Sequence, residues 1–132
     1  MTNNLAKAEQ WRDFIIARCH YPAVDRLRAQ FARAVLQEFC QCGCNSFSLL
    51  HQDDSPSPPI TAAGRYGMVF EANFHLLNEK EKSVEILLFA DKTGRLSYVE
   101  IDCMGNNFPV PDIVELEDKP FYVHASDRLL PP

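Results

Sequence analysis

The sequence predicts an α+β fold, with two N-terminal helices packed on one face of an antiparallel sheet of about five strands, a hairpin plus a three-stranded meander. Three observations carry that expectation. Residues 5–34 repeat apolar side chains at spacings of three and four, the period of a helix. Residues 66–104 alternate apolar with polar side chains, the period of a strand. Between the two patterns lies the one clear break in composition, the proline-rich stretch 52–65. A chain of 132 residues is of ordinary size for one hydrophobic core, so residues 1–132 are expected to form a single domain.

Asn3 or Asn4 offers an N-cap to the first helix, whose stripe is Leu5, Ala8, Trp11, Ile15 and Cys19. His20, Tyr21 and Pro22 end it, because a proline disfavours the helical region for the residue before it. Pro22 also suits the first turn of a second helix with Ala23, Leu27, Phe31 and Ala34 inward. Periodicity alone would continue the helix through residues 34–41, but the Cys42-Gly43 turn into residues 45–49 favours a strand that starts near Ala34 and runs to Gln41, and both readings stay open. Residues 52–65 read as a flexible surface loop that can be shortened without loss of stability.

The meander begins with Met68, Phe70, Ala72, Phe74 and Leu76 in alternation, and a charged turn follows over residues 77–83. Val84, Ile86, Leu88 and Ala90 then face inward, while Glu85, Leu87 and Phe89 face out; a strand apolar on both faces belongs near the centre of a sheet. After a tight turn at Asp91-Lys92-Thr93-Gly94, a third strand points Val99, Ile101 and Cys103 inward and Tyr98, Glu100 and Asp102 outward. Leu96 is out of phase with it, which places a bulge near Ser97. Beyond Gly105 prolines interrupt regular structure, Phe121-Tyr122-Val123 could add an edge strand, and residues 125–132 read as a frayed tail.

Net charge is -5 and unevenly spread: residues 1–33 carry six basic side chains against three acidic, residues 96–132 seven acidic against two basic. The basic segment has no Gly-rich or aromatic platform, so a solvated helix face is expected and no nucleic-acid partner. No apolar run approaches the ~18 residues that span a bilayer, and the first thirty residues contain no apolar core of a secretory signal. A cytoplasmic location without membrane contact is the expectation. Five cysteines, an odd number, fit reduced thiols better than a disulfide framework. Oligomeric state leaves no mark in the sequence.

The stretch 40–44 followed by Phe47 and Leu49, then Glu85-Ile86-Leu87-Leu88-Phe89 and Gly94-Arg95-Leu96-Ser97-Tyr98-Val99-Glu100-Ile101, resembles a family of small bacterial hypothetical proteins. Its members pair a Cys-Gly-Cys turn with a hairpin ending in Gly-x-Leu-Ser-x-Leu-Glu-Ile, and Val99 stands here where leucine is usual. The likeness spans Leu27 to Phe108 and implies no activity. The hairpin is also similar in style to strands of small cytosolic immunity proteins, which implies a protein partner.

Two constellations could carry chemistry. Cys40, Cys42 and Cys44, with Cys103 or His51 as a fourth ligand, have the residue types of a zinc site. Spacing by one is poor on a strand, however, and buried reduced thiols around a turn glycine explain the motif equally, so no metal and no cofactor are expected. If His75 faces Glu85 and Glu85 faces Glu100, the three form a row fit for acid/base catalysis or a hard metal on the outer face. A register slip dissolves that row. With no Gly-x-Ser-x-Gly elbow, P-loop or His-Glu-x-x-His, the leading expectation is a non-enzymatic protein-binding module. It would bind through either the proline-rich loop 52–65 or the open sheet face, where the contact residues are Leu87, Phe89 and Tyr98 and the surrounding acids suit a basic partner.

Overall fold

The computed structural model describes residues 3–51 and 58–131. Asn4 caps α1 (Leu5–Arg18) by accepting a 2.9 Å hydrogen bond from the Lys7 N–H. Ala8, Trp11, Phe14 and Ile15 form its buried stripe, Phe14 taking the place expected for the exposed Leu5. His20, at φ +61°, turns the chain out of the helix, and α2 (Val24–Ala32) buries Leu27, Gln30 and Phe31. Ala34 opens a strand, as its β-branched neighbour Val35 suggests, rather than completing the helical stripe.

The strands are β1 (Ala34–Gln37), β2 (Phe47–His51), β3 (Gly67–His75), β4 (Ser83–Ala90), β5 (Leu96–Cys103) and β6 (Tyr122–Ala125). Among the described residues they form one antiparallel sheet in the order β1-β2-β5-β4-β3-β6. The hairpin and the meander form in the expected order, but β1 ends at Gln37 rather than Gln41, leaving residues 38–46 to connect it to β2, and β6 raises the count from five to six by pairing with β3. Three of its four residues are exposed, so no alternation announces it.

The helices cover one face. Phe14 meets Phe74 edge-on with ring centroids 4.9 Å apart, and Tyr21 meets Phe70 at 5.1 Å. Ile86, Leu88, Val99, Ile101 and Phe47 complete this buried layer, each side chain contributing about 1.5–3 kcal/mol by leaving water. Gln30 is a polar staple within it: its Nε2 donates to Pro58 O at 2.7 Å and its Oε1 accepts from the Leu96 N–H at 3.1 Å.

That staple corrects the reading of residues 52–65 as a flexible loop. Residues 52–57 lie outside the described residues, but Ile60 is 1% exposed and Thr61 3%. The Ile60 N–H donates to Gly94 O at 2.8 Å, so this part of the segment packs against the β4–β5 turn. The reading of residues 125–132 as a frayed tail is corrected too: Ala125 belongs to β6, and Leu129 and Leu130 pack against the core. Leu129 O accepts a 2.7 Å bond from Ala62 N–H, and docking two leucines offsets the ordering of the chain.

Register fixes what the outer face displays. The β4–β5 connection is a type I turn closed by Gly94 at φ +80°, with Asp91 N–H donating to Arg95 O at 2.9 Å. That glycine adds one residue to the return strand. The bulge expected near Ser97 adds a second, since Ala90 pairs with Leu96 and Phe89 with Tyr98. Glu85 therefore faces Asp102, and Glu100 faces Leu87. In the β3–β4 turn Leu76 N–H donates to Lys82 O, setting His75 opposite Ser83 and Asn73 opposite Glu85.

Candidate functional site

These pairings replace the expected His75–Glu85–Glu100 row. Two independent slips of two residues keep His75, Glu85 and Glu100 on their expected face but put them in different cross-strand rows, while the shift between Met68 and Phe70 turns Met68, expected inward, to the outer face. His75 is at the end of its strand, its ring stacked on Phe121 with centroids 3.8 Å apart and Nδ1 buried without a hydrogen-bond partner. Its role is packing, and the catalytic arrangement assigned to the row is absent.

The outer face instead carries an apolar band beside an acidic one. Met68, Phe89, Tyr98 and Ser48 run in one cross-strand line, with the Phe89 and Tyr98 rings tilted together at 5.9 Å. Leu87, Phe89 and Tyr98 are half-buried, a correction to their expected exposure to which the Phe89–Tyr98 ring contact contributes. More exposed apolar side chains on this face include Val35 and Leu50, cross-strand partners on β1 and β2, and Tyr122 on β6 opposite Asn73.

The next line is Glu100, Leu87 and Glu71; the one after it is Asp102, Glu85 and Asn73. Two of these acids are held in place. Ser83 Oγ donates to Glu85 at 2.8 Å and the Gly105 N–H at 3.2 Å, while Asn73 Nδ2 donates to Glu71 at 3.0 Å. Among the described residues none of Glu71, Glu85, Glu100 and Asp102 forms an ion pair. Partial burial, with the Asp102 charge beside them, raises the pKa of both Glu85 and Glu100.

At one corner of this face the β1–β2 connection brings Cys40, Cys42 and Cys44 together. Gly43 at φ +109° folds the chain back, so the spacing that would spread thiols along a strand converges them on one point. Cys40 Sγ is 2.9 Å from Cys42 Sγ, which is 3.2 Å from Cys44 Sγ. The loop is braced from three directions. Cys40 N–H donates to Ser46 O and Asn45 N–H to Ile101 O, both at 3.0 Å, and Val110 N–H donates to Gly43 O at 3.1 Å. Asn3 Nδ2 donates to Ser46 O at 2.9 Å, and Asn45 Oδ1 accepts from Trp11 Nε1 at 2.9 Å in the orientation that satisfies both of its amide atoms.

Hydrogen bonding from Cys40 foremost, then from Cys44 and Asn106, brings the exposed Cys42 thiol down to about 7, whereas burial pushes Cys44 up to about 11. The expected fourth ligands are elsewhere: Cys103 is buried on the inner face, and His51 Nε2 is 2.6 Å from Leu96 O. A cleft of about 210 Å³ beside the thiols is also lined by Tyr98, Glu100, Asp102 and Asn106, whose Nδ2 donates to Cys42 Sγ at 3.5 Å.

Comparison of the chain with protein-family models, with curated proteins and with solved structures found no match. No helix among the described residues is long and apolar enough to cross a membrane.

Proposed function

We propose that the outer face is a docking surface for a basic, amphipathic segment of a partner protein. The observation that supports it is the pairing of an apolar line, Met68, Phe89 and Tyr98, with a band of four carboxylates that form no ion pair among the described residues. Glu85 and Glu100, whose ionisation is resisted by partial burial, gain from an arriving ammonium or guanidinium group, and the apolar line gives such a segment area to bury. The broken His75, Glu85 and Glu100 row removes the geometry an acid/base enzyme would use here.

An amphipathic helical peptide of leucine and lysine serves as the probe, followed by amide chemical shifts. The expected shifts cluster at Leu87, Phe89, Tyr98 and Glu100, and they weaken as salt rises toward ~200 mM. The triple substitution E71Q/E100Q/D102N is expected to lower affinity about tenfold, at roughly 0.5 kcal/mol for each exposed charge. Shifts confined to the α1–α2 side, or a triple variant that binds as tightly as the wild type, would overturn the reading.

A further inference from the structure

The geometry points to a zinc site at Cys40, Cys42 and Cys44, with an oxygen ligand completing the tetrahedron from the cleft. The three Sγ atoms all lie within 4.8 Å of one another, and no backbone rearrangement is needed to bring them there. Zinc–sulfur bonds of about 2.3 Å in a tetrahedron set sulfur atoms about 3.8 Å apart. The observed separations of 2.9 and 3.2 Å need only open by about half to nine tenths of an ångström, within reach of side-chain rotation. The objection that one-residue spacing spreads ligands along a strand does not hold here, because none of the three residues is in a strand and Gly43 reverses the chain between two of them.

The cleft selects the ion. Three thiolates alone would suit a monovalent copper ion as well as zinc. The carboxylates of Glu100 and Asp102 line the same cleft, where an oxygen ligand or a water can take the fourth position, and three protein ligands with an open fourth position is an arrangement zinc adopts. The bracing from Trp11, Asn3, Ile101 and Val110 places the loop before any ion arrives, so binding does not have to order it. Because the fourth position is open rather than closed by a fourth cysteine, the ion remains accessible to solvent or to a ligand from a partner. The site borders the docking face at Glu100 and Asp102, but its three thiols lie outside that face, so C42S tests the zinc site without altering the acidic band.

Full-length protein purified under reductant and stripped with a chelator is titrated with cobalt(II), then with zinc. The expected result is a thiolate-to-cobalt charge-transfer band with tetrahedral visible bands, saturating at one equivalent and bleached by one equivalent of zinc. C40S and C42S are expected to lower zinc affinity at least about a hundredfold, while C19S and C103S leave it unchanged. Cys42 is exposed, so C42S keeps the wild-type circular dichroism and thermal transition, which separates loss of the site from loss of the fold. Absence of the charge-transfer band in folded protein, C42S binding zinc as tightly as the wild type, or uptake of copper(I) without zinc would each overturn the assignment.

Discussion

Glu100 shows how a single side chain records the demands of the face it sits on. Partial burial first, and the Asp102 carboxylate second, raise its pKa in the folded chain. The folded state then binds more protons than the unfolded state between the ordinary value near ~4.3 and the raised one, so its share of stability falls as pH climbs through that window. Replacing Glu100 by Gln removes the cost, and stability at pH 7 is expected to rise by at most about half a kcal/mol, since the group is largely open to solvent. The gain should fade as pH is lowered toward ~4, where both states are protonated. Urea unfolding of the two proteins at pH 7 and pH 4 checks this, and an equal difference at both would remove charge as the cause. Alternation in the sequence assigns Glu100, Glu85 and Asp102 correctly to one face, because side-chain direction in a strand is local. Which of them stand opposite each other is not local: it depends on one extra residue at Gly94 and another at Ser97.

At the level of elements, α1 and β3 to β5 are legible because each repeats its period over eight residues or more. Two features escape that logic. In β3 the pairing shifts between Met68 and Phe70, so Val69 is buried where regular alternation would turn it outward. The segment around Ile60 has no period at all; its burial is decided by α2 on one side and the β4–β5 turn on the other, neither of them near in sequence. Ile60→Ala is expected to destabilise the fold by about 2–5 kcal/mol, the range for emptying a core site, seen as a lower urea midpoint at unchanged slope. A change below about 0.5 kcal/mol, normal for a surface position, would mean that the segment is only draped over the sheet. Gly94 records the same closeness, for a Cβ placed there would lie 2.7 Å from the Cβ of Pro59. The thiol cradle was half legible: the three cysteines are plain in the sequence, but their convergence depends on Gly43 and on braces from Trp11, Ile101 and Val110.

For the whole molecule, the sheet order has a meaning in time. β3, β4 and β5 are neighbours in the chain as well as in the sheet, whereas β2 reaches β5, and β6 reaches β3, across intervals of more than a third of the chain. Closing a long loop costs more entropy than closing a short turn, so the meander is expected to assemble first and the flanking strands to join it afterward. Ile86→Val in β4 should then mainly slow refolding, and Leu49→Ala in β2 should mainly speed unfolding. Stopped-flow measurements on the two variants decide it, and the opposite division would move the nucleus to the hairpin. The loop bearing Cys40, Cys42 and Cys44 hangs from that late-joining hairpin. Its thiols therefore meet only near the end of folding, and an ion held there lengthens the lifetime of the finished molecule without hastening its birth.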